Sequence, residues 1–268
     1  MLTPDPVLVR LADADTFTIL FWRGIFYALG VLAILFATYR KNTFKELKNI
    51  GRHGIWIGIL SGIGGVTFIA AIQYTSIAKV LVIISTAPMV VAIFSWVIIN
   101  EKPKLYTWIS MLIIVTGIYI VMKGDTGTLN VMGSSLAVIS IIAGGYSFAL
   151  TRKYSNVNMV PAMIVNALVV SCVGLAFSSS FYLPFGSLMY VIAGGILLAI
   201  AFSLITLAPR FIPASEVAMF MPLGTIFGII SAWLVINEQP SSSSILGGSI
   251  VVITLFVHAW YSSKLQTK

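Results

Sequence analysis

Trp96-Val-Ile-Ile-Asn100-Glu101-Lys-Pro103 and Trp233-Leu-Val-Ile-Asn237-Glu238-Gln-Pro240 are one eight-residue phrase written twice, 137 positions apart, with five identities. The same offset pairs Gly58 with Gly195, Ala71 with Ala208, Tyr74 with Phe211, Lys79 with Glu216 and Val80 with Val217. The chain therefore divides into two units, residues 1–124 and 125–268.

The residues around the phrase are apolar. Of 268 residues, 59% are hydrophobic and 9% charged, and the mean hydropathy is +1.02. A soluble domain carries roughly 25% charged residues, so most of this surface faces something other than water. Ten helical segments are expected, near 1–12, 16–39, 54–74, 77–99, 105–122, 131–151, 158–178, 187–208, 213–236 and 243–262. Most approach the roughly 20 residues that cross a bilayer core. The fold class expected is all-α integral membrane. Each unit holds five spans, and an odd number makes the second unit enter from the opposite side. That is a 5+5 inverted-topology repeat, an architecture of alternating-access transporters.

Segment 1 is short for a span, with about twelve residues before Asp13, whereas segment 6 runs some twenty to Arg152. The first repeat is thus expected to lack roughly 10–13 residues at its start, with Met1 a late start or a truncation.

Twelve cations fall on one side of the membrane if every segment crosses. They are Arg40, Lys41, Lys45, Lys48, Arg52, Lys102, Lys104, Arg152, Lys153, Arg210, Lys264 and Lys268. The opposite loops hold Lys123 and the acids Asp13, Asp15, Asp125 and Glu238. This bias places both termini in the cytoplasm and the protein in the cytoplasmic membrane. It also accounts for the net charge of +8 as an orientation signal, so no nucleic-acid partner is expected. Trp22, Trp56, Trp108 and Trp260 are candidate interface anchors. One cysteine, Cys172, excludes a disulfide framework or thiolate cluster, and no cleavable signal peptide is legible.

The chain resembles the drug/metabolite transporter superfamily, in its EamA-type permease branch. The resemblance is carried by Pro4-Asp5, Val9-Arg10, Phe21-Trp22-Arg23-Gly24, Tyr74-Thr75-Ser76, Pro88 and Asn100-Glu101. The second half continues it with Pro213-Ala214-Ser215-Glu216, Asn237-Glu238-Gln239-Pro240 and Gly247-Gly248. The resemblance implies a ten-helix 5+5 repeat and the efflux or exchange of small metabolites, without naming one. Where the family has a small residue before the glutamate, this chain has Asn100 and Asn237.

Ionisable residues inside spans are functional hypotheses by default. Asp5 and Arg23 lie nine residues either side of the turn near residue 14, so each sits about 13 Å along its helix. They read as an ion pair between neighbouring helices or as a substrate or proton-coupling site. Arg10 can snorkel. Lys79, in the first turn of segment 4, opposes the helix dipole. It either snorkels to headgroups or attracts an anionic group at an outward mouth. Its repeat partner Glu216 follows Pro213 and suits its helix start. Gln73, Tyr74, Ser85, Thr86, Tyr146 and Asn166 could supply a cavity with hydrogen bonds. Pro88 and Pro222 are kink candidates. Gly54, Gly58 and Gly62, echoed by Gly195 and Ala199, read as helix-packing faces. Glu101 and Glu238 read as helix-start acids, and His258 as a packing residue.

The composition argues against an enzyme. Its two histidines, His53 in a loop and His258, form no metalloprotease motif, no metal site is expected, and the acids do not cluster. No Gly-x-x-x-x-Gly-Lys-Ser/Thr phosphate loop is present, and no cofactor is expected. The reading is a secondary transporter whose partners are a small-molecule metabolite and the lipid bilayer. Energy comes from protons or from the substrate's own gradient. A channel and a membrane-embedded enzyme are the alternatives.

Overall fold

A computed structural model describes residues 5–100, 105–123, 131–211, 217, 228, 230–235, 237 and 240–266. Among them there is no strand. The helices are α1 (Asp5–Leu11), α2 (Thr16–Tyr39), α3 (Thr43–Asn49), α4 (Gly51–Tyr74), α5 (Ile77–Ile84), α6 (Ala87–Ile99), α7 (Leu105–Lys123), α8 (Val131–Lys153), α9 (Ala162–Phe177), α10 (Phe185–Leu207) and α11 (Ser242–Gln266). Residues 230–235 are also helical. Five helical segments, Thr16–Asn49, Gly51–Tyr74, Ile77–Ile99, Val131–Lys153 and Phe185–Arg210, are long and apolar enough to cross a membrane. The protein is a multi-pass helical membrane protein.

Local chemistry sets the boundaries. Asp15 caps α2 by accepting from the Phe17 and Thr18 amides, as N-cap aspartates do. Ser76 caps α5 through the Lys79 amide at 3.3 Å. The continuous segment expected over 77–99 is broken at Ser85–Thr86, and Pro88 starts α6 at its second position. Proline supplies no amide and suits a helix start better than its interior. One further expectation changes. Segment 3 begins at Gly51, so His53 is helical rather than in a loop. The stretch after α2 folds into a 3-10 turn (Arg40–Asn42) and α3.

α4 packs on α8 and α9, while α10 packs on α1 and α2, and α2 crosses α9. α7 lies along α11 and α6 along α8. In lipid the hydrophobic effect gives helices little reason to associate, so close backbone approach must supply the contact. It does so at glycines. A Cβ on Gly58 would lie 2.5 Å from the Ala162 carbonyl, and one on Gly62 would lie 2.6 Å from Val169 Cβ, both on α9. A Cβ on Gly195 would lie 2.7 Å from Phe26 Cβ on α2, and one on Gly30 would meet Ala199 Cβ at 2.6 Å. Gly54 faces Ile50 of its own segment instead.

Contact order along each pair gives direction. Gly24 meets Ala167 and Ser171 while Gly174 meets Phe17 and Phe21, so α2 and α9 are antiparallel. Tyr106 lies near Tyr261, Ser110 bonds His258, and Gly117 meets Gly247, so α7 and α11 are antiparallel too. His258 is buried and its Nδ1 lies 3.1 Å from the Ser110 hydroxyl, a packing role.

Candidate functional site

The charges that the sequence places within spans are accommodated inside the bundle. Arg23 Nη2 donates to both Asp5 oxygens at 2.6 Å, and each side chain is 4% exposed. The contact is end-on, since Arg23 Nε and Nη1 find no partner. A hollow of about 10 Å³ adjoins the pair, against Tyr190, Val191 and Gly194 of α10. That is room for about one water. The pair therefore pins α1 to α2 beside α10.

Arg10 is partly buried near the end of α1. Its Nη2 donates to the Thr75 carbonyl at 2.9 Å, placing a cation at the C-terminus of α4, where the helix dipole favours one. Lys79 is held inside the bundle. It is 4% exposed, among the packed residues of α5. The neighbouring apolar cluster joins Val7, Val9, Leu20, Ile69, Ile72, Ile77 and Val80.

The polar residues proposed for a cavity are dispersed. The Ser85 and Thr86 hydroxyls donate to the Val82 and Ile83 carbonyls at 2.6 and 2.7 Å, so they close the α5–α6 break. Asn166 is buried at the α4–α9 crossing, with Nδ2 4.0 Å from Met163 Sδ. Gln73 is half-buried and Tyr74 exposed at the end of α4. Pro88 is buried at the break. Glu101, Pro213, Glu216, Pro222 and Glu238 lie outside the described residues.

Tyr146 does line a groove. His53, Trp56 and Leu60 of α4, Tyr146 and Leu150 of α8, and Tyr154 just beyond it border an open groove of about 410 Å³ near the end that carries the cations of Arg40–Arg52, with Trp56 60% exposed. This volume suits a small molecule. Among these six the sequence singles out Tyr146 for a cavity and Trp56 as an interface anchor, and Trp56 is 60% exposed; Leu60, Leu150 and Tyr154 are not read from it, and His53 is read as a loop residue. The signal was present as stripes at helical spacing, but it needed the α4 start and the α4–α8 pairing to be legible. The other anchors sit at span ends: Trp22 Nε1 donates to the Phe181 carbonyl at 2.9 Å, and Lys264 Nζ lies 5.2 Å above the Trp260 ring.

The repeated phrase carries a left-handed residue at its fifth position each time. Asn100 has φ 64° and Asn237 φ 52°. Asparagine and glycine are the residues that take this conformation most readily at a helix C-terminus.

Residues 6–123 match the model of the EamA-like transporter family. Solute carrier family 35 member G1 of Homo sapiens is 24% identical over 276 residues, covering 95% of this chain and 75% of the relative. The S-adenosylmethionine uptake transporter of Rickettsia felis is 22% identical over 93% of this chain and 84% of its own length. The riboflavin transporter of Rhizobium johnstonii is 22% identical over 74% of this chain and 67% of its own. A solved crystal structure at 14% identity covers 98% of this chain and 94% of its own, with a TM-score of 0.74, and shares the fold.

Proposed function

With its first half matching EamA-like transporters and transporter relatives aligned along nearly all of it, the chain is a member of the drug/metabolite transporter superfamily, and we propose that it is a secondary transporter moving small metabolites across the cytoplasmic membrane by alternating access. The two units are 1–124 and 125–268, ten helices in all, with both termini in the cytoplasm.

The observation that supports this reading is the way the 137-residue offset relates the packed helices. The 137-residue offset maps α2 onto α9 and α7 onto α11, and both pairs run antiparallel. It maps the α4–α9 seating through Gly58 and Gly62 onto the α10–α2 seating through Gly195 and Ala199. It also maps one left-handed asparagine onto the other. Two similar halves of opposite sense can exchange roles about a site between them, which is how inverted repeats alternate access. Lys79, Asp5 and Arg23 remain the charged candidates along the pathway.

Proteoliposomes test the proposal, with S-adenosylmethionine and riboflavin as first solutes because relatives are named for them. A transporter shows saturable flux and accelerated counterflow from a preloaded lumen. Flux that stays linear with concentration and shows no counterflow would establish a channel instead.

A further inference from the structure

The groove between α4 and α8 opens sideways, away from the bundle. At the seam Ser147 is buried, its hydroxyl 2.9 Å from the Ile57 carbonyl and 2.7 Å from the Ser61 hydroxyl. Trp56 and Tyr146, each one residue from that seam, are 60% and 36% exposed. The groove therefore lies on the perimeter, against the bilayer. Left empty, its walls would forfeit their dispersion contacts, so acyl chain fills it. From His53 to Leu60 it runs roughly 10–12 Å at ~1.5 Å per residue, against the roughly 15 Å of hydrocarbon in one leaflet.

The end of the groove at the membrane surface is positive. Arg52 lies one helical turn before Trp56 and Lys153 one turn after Leu150, so each continues one wall of the groove. The stack of His53 on Tyr154, centroids 4.1 Å apart, draws these two helix ends together, and Lys153 Nζ sits 6.0 Å over the Tyr154 ring. Arg210 arrives from beyond α10. Its Nε donates to the Ser155 carbonyl at 3.1 Å, while Arg152 Nη1 donates to the neighbouring Pro209 carbonyl at 2.8 Å. Arg52, Lys153 and Arg210 are exposed, and none forms an ion pair with a carboxylate among the described residues. Neither α4 nor α8 contains an Asp or Glu. Orienting a span needs cations only somewhere in the flanking loop. It does not explain why cations from three elements meet at the mouth of one apolar groove.

We propose that this groove holds one anionic phospholipid, with an acyl chain between Trp56, Leu60, Tyr146 and Leu150 and its phosphate against Arg52, Lys153 and Arg210. A zwitterionic lipid offers the same chains, but its own ammonium offsets the attraction. Each cation near an anionic headgroup is worth about a factor of five in affinity. The site is separate from any solute path and does not depend on the transport reading.

The test uses the full chain in phosphatidylcholine nanodiscs, with either phosphatidylglycerol or phosphatidylcholine brominated on its acyl chains as a quencher of tryptophan fluorescence. In wild type, brominated phosphatidylglycerol is expected to reach half-maximal quenching at a mole fraction at least about tenfold lower than brominated phosphatidylcholine. Trp56→Phe should abolish that early component. Arg52→Gln/Lys153→Gln/Arg210→Gln should shift the phosphatidylglycerol curve onto the phosphatidylcholine curve. Coincident curves for the two lipids in wild type would overturn the proposal, and this comparison needs no variant. An early component that survives Trp56→Phe would place the lipid elsewhere. An unshifted curve in the triple variant would remove the cations from the site. Displacement by glycerophosphoglycerol, the headgroup without chains, at concentrations matching the lipid would make the site one for a free phosphate ester. A Trp56 that neither lipid quenches would mean that a second copy or a solute covers the groove.

Discussion

Neutralising one member of the Asp5–Arg23 pair should harm the protein more than neutralising both. Both side chains are 4% exposed, and the guanidinium has no other compensation, because Nε and Nη1 are already without partners. Asp5→Asn therefore leaves a buried, unpaired cation, and Arg23→Gln a buried, unpaired carboxylate. Breaking a buried pair in this way costs about 3–5 kcal/mol. At roughly 2–4 °C per kcal/mol for a chain of this size, the apparent melting point should fall by about 6–20 °C. The double variant Asp5→Asn/Arg23→Gln removes both charges and leaves two amides able to bond each other, so it should recover most of that loss. Burial also removes the pair from ionic screening, which acts on exposed charges, and the pattern should hold from low to high salt. The measurement is melting by size-exclusion chromatography of a fluorescent fusion in detergent, with transport assayed on the same four proteins. A double variant no better than the worse single one would refute the structural pair. Single variants that melt like wild type but do not transport would reassign the pair to the solute pathway.

Four further outcomes are expected. Gly58→Val and Gly195→Val should each destabilise by about 1–3 kcal/mol through forced overpacking, while Gly144→Ala, whose Cβ would meet nothing within 4 Å, should melt within about a degree of wild type; equal melting of all three would contradict the helix seating. Asn100→Val should cost about 1–2 kcal/mol because of its left-handed backbone, and Asn100→Gly nothing measurable, as read from the same melting series. Lys79→Gln should leave expression unchanged and raise the half-saturation constant for anionic solutes on the outer side, and equal constants across a carboxylate panel would remove Lys79 from the pathway. With Cys172 replaced, an impermeant thiol reagent added outside intact cells should label a cysteine at Ser180 and spare one at Lys45, both exposed positions; the reverse pattern would invert the orientation.

The sequence alone determined the class of the protein. A helix in lipid must satisfy its own backbone bonds and hide its charges, so composition and the spacing of apolar runs were sufficient to name a helical membrane protein, and the doubled Trp–Asn–Glu phrase was sufficient to propose two inverted halves. The Asp5–Arg23 partnership was also legible, because equal distances from one turn imply equal depth. What the sequence could not supply was lateral neighbourhood. The moments of these helices carry little information when lipid and protein interior are equally apolar, so nothing in the stripe His53-Trp56-Leu60 said whether it faced lipid, a partner helix or a cavity. Only the packing of α4 on α8, drawn together where Ser147 reaches the Ile57 carbonyl at 2.9 Å and Ser140 the Gly64 carbonyl at 2.7 Å, brings that stripe opposite Tyr146, Leu150 and Tyr154. The same holds for Arg10, whose partner Thr75 lies 65 residues away, and for Ser85 and Thr86, whose hydroxyls bond the carbonyls just before the α5–α6 break. Depth along a helix follows from counting residues, but the direction a side chain faces across the bundle is decided by which helices pack together.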